Sequence, residues 1–234
     1  MSKHVDFILT GIGHLMEDTV DASLGISEGM CSYAVCDYIF QSLFLKMTGF
    51  SEQKAKCICW ELATEDYEFR YDYLKSISSY GEMSELNSRN RVYNDVVRIM
   101  KKSDPSFTAE SVLDKDQMII DVKQTMVEIF SDSLLIHSNH RHYTEFLEIY
   151  DKIFKPDYFA KGGNMLEGKL SEAYAALYDH RNRCAHNLLS YQQNLPTLKK
   201  LADEKYQYEN YYIRFALLLL MDKVYMGLFK KINI

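Results

Sequence analysis

The sequence predicts an all-α protein, and three observations carry that expectation. Breakers are sparse: 3 Pro and 10 Gly in 234 residues, where a β-sandwich or barrel needs turn residues about every 8–12 positions. Between the breakers, apolar residues recur at the three-, four- and seven-residue spacing of a helix face. No glycine occurs from about Ser84 to Pro156.

Taken in order, the chain starts with four glycines before Met30, which predicts a loose lead-in over the first 26 or so residues, with one short helix at most. From about Ser27 to Met47 the residues are apolar almost all round, so a helix is expected there. Gly49-Phe50-Ser51 then reads as a stop followed by an N-cap. The second helix shows a stripe of Ala55, Ile58, Cys59, Leu62, Phe69, Tyr73 and Ile77, and Gly81 ends it. Helices follow near Asn87–Lys102, Thr108–Phe130 and Arg141–Phe154, with Asp104-Pro105 and Lys155-Pro156 as breaks. Lys161-Gly162-Gly163-Asn164 reads as a loop. A helix from about Leu166 to Leu189 is closed by Asn194-Leu195-Pro196. The last helix runs from about Asp203 to Lys231, with Asp203-Glu204 and Lys230-Lys231 at the ends its dipole favours. There is no internal repeat and no low-complexity stretch.

Composition narrows the class. Hydrophobic residues make up 47% and aromatics 13%, too many for a disordered chain. A net charge of −6 excludes a generally basic nucleic-acid coat and leaves room only for a local basic cleft. The longest purely apolar run, Phe215 to Met221, is too short to cross a bilayer, and the opening MSKHVDF has no signal-peptide core. Cys31, Cys36, Cys57, Cys59 and Cys184 are an odd number in apolar surroundings, which reads as reduced core thiols of a cytoplasmic protein.

One stretch carries chemistry. Tyr178 to Asn187 crowds polar and ionisable groups into an otherwise apolar helix. Leu170, Ala173, Tyr174, Leu177, Cys184 and Leu188 form its core stripe, and Arg181 lies in the middle of it. A guanidinium on a core face keeps its charge, so it needs a carboxylate or a polar cleft. Asn182 and His186 are four apart on the flank, with Asp179 close to their line. An imidazole beside an inward guanidinium can move protons and stabilise an anion. Asp37, four before Gln41 on one helix face, and Asp66, which interrupts the second stripe, are both candidates to hold Arg181. The sequence does not choose between them.

Arg181-Asn182-x-x-x-His186 resembles the R-x4–6-H motif of HEPN domains, including the polar residue that often follows the arginine. The motif also closes one long helix while another ends the chain. The resemblance covers about 27–80 and 165–232, with roughly 84–160 as a helical insertion, all within a single domain over 1–234. It implies a HEPN-like helical bundle that dimerises so that two motifs face each other. In many members this goes with metal-independent endoribonuclease activity in toxin–antitoxin, phage-defence or RNA-processing systems. Minimal HEPN toxins paired with a nucleotidyltransferase antitoxin carry tyrosine two residues after the histidine. Here that position is Leu188 and the nearest tyrosine is Tyr191, so a tyrosine-modifying antitoxin is not supported.

Other features have blander readings. His137-Ser138-Asn139-His140-Arg141-His142 lacks a cysteine or acidic cluster to complete a zinc set. Cys57-x-Cys59 and Cys31-x4-Cys36 lie on helices as core thiols. The tyrosines at Tyr67–Tyr80 and Tyr206–Tyr212 suit a helix seam or dimer face better than base stacking. Arg89, Arg91, Arg98, Lys101 and Lys102 read as a solvated face before an RNA contact.

The expected protein is thus a cytoplasmic, homodimeric ribonuclease acting on RNA, without cofactor, metal or membrane, and with an antitoxin or defence-complex partner open. His186 serves as general acid or base, Arg181 stabilises phosphorane charge, Asn182 orients phosphate or imidazole, and Asp37 or Asp66 supports Arg181. The alternatives are a non-catalytic HEPN-like module binding nucleotide, RNA or a protein, and a helical accessory subunit of a defence complex.

Overall fold

The computed structural model describes residues 3–25, 32–76, 82–186 and 204–232. Two helices, α1 (Lys3–Leu9) and α2 (His14–Ser23), open the described chain, where a loose lead-in was expected. They are ordered because Val5, Ile8, Ile12 and Met16 are buried and because their connection is bonded to the core. Lys54 donates to the Thr10 carbonyl at 2.7 Å, and the Ile12 amide donates to Asp222 at 2.9 Å. Lys54 and Asp222 are themselves ion-paired, each with a side chain 1% exposed.

Helix α3 (Ser32–Glu65) is continuous over 34 residues, so Gly49 does not end a helix. A helical glycine costs only about 1 kcal/mol relative to alanine. Burial of Phe44, Met47, Ala55 and Ile58 on either side outweighs that. The break comes instead at Asp66, whose carboxylate accepts from the Phe69 amide at 2.8 Å and caps α4 (Tyr67–Lys75). Ala55, Ile58, Cys59, Leu62 and Phe69 of the expected stripe are buried; Ile77 lies outside the described residues. The N-terminal turns of α3 are less enclosed than an all-round apolar helix implies, since Tyr33, Val35 and Tyr38 are exposed.

Helix α5 (Leu86–Ser103) sits where the periodicity places it. A 3₁₀ turn (Ala109–Ser111) precedes α6 (Lys115–Phe130), so the expected single helix from Thr108 starts later. Helix α7 (Leu134–Ile153) begins ahead of Arg141 and is kinked at Asn139, which has non-helical φ −130° and ψ 28°. A second 3₁₀ turn (Pro156–Tyr158) leads into a hairpin of β1 (Phe159–Lys161) and β2 (Asn164–Leu166), paired Phe159 with Leu166 and Lys161 with Asn164. Gly162, at φ +55°, takes the left-handed turn conformation that glycine favours. The Asn90 carboxamide accepts from the Met165 amide at 2.9 Å, fixing the hairpin to α5.

Helix α8 (Gly168–His186) carries the motif. A 3₁₀ segment (Glu204–Glu209) then leads to α9 (Tyr211–Ile232), so the last helix begins later than expected, and Asp203 lies outside the described residues. Helix α9 is buried nearly all round, with α3, α5, α6, α7 and α8 against it. The middle helices therefore share one hydrophobic core with the first and last. The fold is all-α, and among the described residues no helix is long and apolar enough to cross a membrane.

Candidate functional site

Helices α3 and α8 pack together: Gln41 meets Cys184, Phe44 meets His180, and Glu52 meets Arg181. Leu170, Ala173, Tyr174 and Leu177 are buried as the stripe requires. Arg181 continues that stripe, so its guanidinium enters the seam between the two helices. There its Nη2 lies 3.3 Å from a Glu52 oxygen, and its Nη1 donates to Asn182 Oδ1 at 3.1 Å. The two ion-paired side chains are 20% and 16% exposed.

Glu52 therefore corrects the expectation that Asp37 or Asp66 holds Arg181. Asp66 is engaged elsewhere, capping α4 and accepting from Lys102 at 2.6 Å. Asp37 is exposed near the other flank of α8, where its charge acts on Cys184 and Tyr211. Because α3 does not break at Gly49, Glu52 lies one turn past Thr48 on the face that meets α8.

Arg89 lies behind Glu52, and it is not on a solvated face. It is 1% exposed, donates to the Ser51 carbonyl at 2.5 Å, and feels the Glu52 charge. Tyr174, beside it, donates to the Ser84 carbonyl at 2.7 Å. Burial pushes the Tyr174 phenol up, so it stays a neutral hydrogen-bonding group. Arg181, Glu52, Arg89, Tyr174, Thr48 and Leu218 line a small cleft with room for about one water.

The opposite flank of α8 holds a second polar network that the sequence reading passed over. His180 Nε2 is 3.0 Å from the Tyr211 hydroxyl and 3.4 Å from Cys184 Sγ, and its Nδ1 is 3.4 Å from Arg183 Nη2. An arginine can only donate, so Nδ1 is the acceptor and Nε2 carries the proton of the neutral ring. Arg183 Nη2 also donates to both Glu209 oxygens at 3.1 and 3.2 Å, and Arg214 Nη2 reaches the same carboxylate at 2.5 Å. Arg214 is 1% exposed and lies against the Phe44 and Tyr211 rings. Burial pushes the Cys184 thiol up, with Gln41 donating to it at 3.2 Å. Arg214 amid the apolar run of α9, and His180 four before Cys184, were the available signals.

His186 is the last described residue of α8, and its side chain, like Leu188 and Tyr191, lies outside the description. The structure thus brings together Arg181 and Asn182 of the expected set, adds Glu52 and Arg89, and sets Asp37 and Asp66 apart. Among the described residues near the end of α8, Arg181 contacts Glu52, Arg183 and Arg214 share Glu209, and buried Arg89 lies within the field of Glu52, all within an acidic chain. Such an end can receive an anion. Neither a protein family, nor a curated protein, nor a solved structure matches this chain.

Proposed function

We propose that this protein is a metal-independent endoribonuclease of the HEPN type, working as a homodimer with a composite site, in a cytoplasmic toxin–antitoxin or phage-defence setting. The observation that carries the reading is Arg181 itself. It is held at the lip of a cleft, hydrogen-bonded to Asn182 and ion-paired with Glu52, with the buried Arg89 guanidinium behind that carboxylate. One negative charge facing two guanidiniums leaves an attraction for a phosphodiester.

In this reading His186 removes the proton of a ribose 2′-OH, whose oxygen attacks the adjacent phosphorus. Arg181 neutralises charge developing on the phosphoryl oxygens, and Asn182 keeps its guanidinium in line. The P–O5′ bond breaks, and a second imidazole, from the other copy, protonates the leaving 5′ oxygen. The products are a 2′,3′-cyclic phosphate and a 5′-hydroxyl. Exposed Tyr33, Val35 and Tyr38, within a few turns of Gln41 and its contact with Cys184, offer apolar surface for pairing the copies.

The test is incubation of total RNA with wild type, Arg181→Ala and His186→Ala, each checked for unchanged helicity. Cleavage by wild type and by neither variant supports the reading. No cleavage by wild type favours the second one, a non-catalytic module that binds nucleotide, RNA or a protein partner such as an antitoxin or defence subunit. That reading is favoured by the size of the cleft, which admits about one water beside an arginine already engaged by Glu52.

A further inference from the structure

Glu209 serves two arginines of unequal need. Arg214 is 1% exposed and cannot shed its charge, so it requires a counter-ion. Its Nε is buried with no hydrogen-bond partner among the described residues, which leaves the Glu209 contact at Nη2 as its charge compensation. Arg183 is different. Its side chain is 36% exposed, it would be solvated without Glu209, and it engages Glu209 and His180 through the same nitrogen, Nη2. Among the described residues, Glu209 is the one carboxylate in contact with either guanidinium, and the solvent-facing member of the pair is Arg183. Among the described residues, Asp37 also acts on this corner; it is exposed and is felt there through its field at Cys184 and Tyr211.

We infer that Arg183 is a phosphate-binding residue for single-stranded RNA, and that Glu209 is an internal carboxylate competing with the RNA phosphate for it. The inference takes its ligand from the ribonuclease reading, and it adds a contact on the flank of α8 away from Arg181. A phosphate that draws Arg183 outward leaves Glu209 to Arg214, where burial demands it.

The test reads binding separately from cleavage. A fluorescein-labelled, fully 2′-O-methylated RNA oligonucleotide keeps its phosphates but offers no 2′-OH, and its anisotropy is followed over a salt series. Arg183→Ala is expected to weaken binding severalfold and to flatten the slope of log K against log salt by about 0.7, the value for one single-strand phosphate contact. Glu209→Gln is expected to tighten binding, and the double variant to behave as Arg183→Ala does, since Glu209 acts through Arg183. Should Glu209→Gln lose its helical signal because Arg214 is left uncompensated, Arg183→Ala and Arg183→Lys decide. Lysine is expected to retain the slope. Unchanged affinity and slope in Arg183→Ala, or no binding by wild type, overturns the inference. Arg183-dependent binding without cleavage of unmodified RNA overturns the ribonuclease reading and leaves this one standing; cleavage with an indifferent Arg183 does the reverse.

Discussion

Glu52 lies 3.3 Å from Arg181 on one side, and its charge acts on the fully enclosed Arg89 on the other. The carboxylate thus contacts a residue of the motif and lies within electrostatic reach of a core cation, whose own hydrogen bond goes to the Ser51 carbonyl.

That placement makes the two ends of the ion pair unequal. Glu52→Ala leaves Arg181 without its carboxylate in the seam and also removes a negative field acting on buried Arg89, so it is expected to cost about 2 kcal/mol. Arg181→Ala leaves Glu52 with Arg89 and is expected to cost about 1 kcal/mol, close to an ordinary hydrogen-bonded contact. Urea unfolding of both variants measures the difference. Equal losses would show that Arg89 does not depend on Glu52.

A second buried pair, Lys54 with Asp222, holds the N-terminal helices to α3 and α9. Lys54→Met alone strands a buried carboxylate and is expected to destabilise by on the order of 3–5 kcal/mol. Lys54→Met with Asp222→Leu removes both charges and is expected to recover much of that loss. A double variant no more stable than the single one counts against this account.

The helices were legible because a core face repeats every three or four residues, and α5 and the buried stripe of α3 follow that rule. Gly49 was misread because residue propensity is local, whereas the packing that carries α3 through it comes from elements distant in sequence. Treating Gly49 as a stop placed Glu52 in the first turn of a separate helix, and so hid the partner of Arg181. Arg181 itself was visible, because a charge inside an apolar stripe is a periodic anomaly. Glu209 was not, since its contacts with Arg183 and Arg214 join two helices across a turn and leave no periodic trace.

Asp66 offers a pH test. The Lys102 ammonium and the Phe69 amide hold its carboxyl below the ordinary value. A depressed folded pKa means stabilisation that is present above the ordinary aspartate value of about 3.9 and is lost as pH falls through the folded value. Asp66→Ala is therefore expected to cost about 1 kcal/mol near neutrality, as for a lost N-cap. Its melting curve should converge with that of wild type in acid. A gap that stays constant down to strong acid would refute the capping role.

A composite site requires two copies. Multi-angle light scattering is expected to give twice the 27.4 kDa chain mass at micromolar concentration. Replacing exposed Tyr33 and Tyr38 with serine is expected to shift the population to monomer with the helical signal unchanged. Loss of dimer and of RNA cleavage together would tie assembly to the site, whereas a wild-type monomer that cleaves RNA would remove the need for a second copy.

Cleavage is expected to need no metal. The described groups gathered at Arg181 are guanidiniums, an amide, phenols and a carboxylate already ion-paired with Arg181, a set suited to holding a phosphate rather than two cations in line. The nucleophile nearest any scissile phosphate is then the ribose 2′-OH. An unperturbed imidazole, titrating at about 6.5, can take its proton near neutral pH. RNA fragments should therefore end in a 2′,3′-cyclic phosphate that blocks 3′ ligation until it is removed, and DNA of the same sequence should stay intact. EDTA should leave the rate unchanged. Activity abolished by EDTA and restored by Mg²⁺ would sink this mechanism and turn attention to carboxylates elsewhere in the chain.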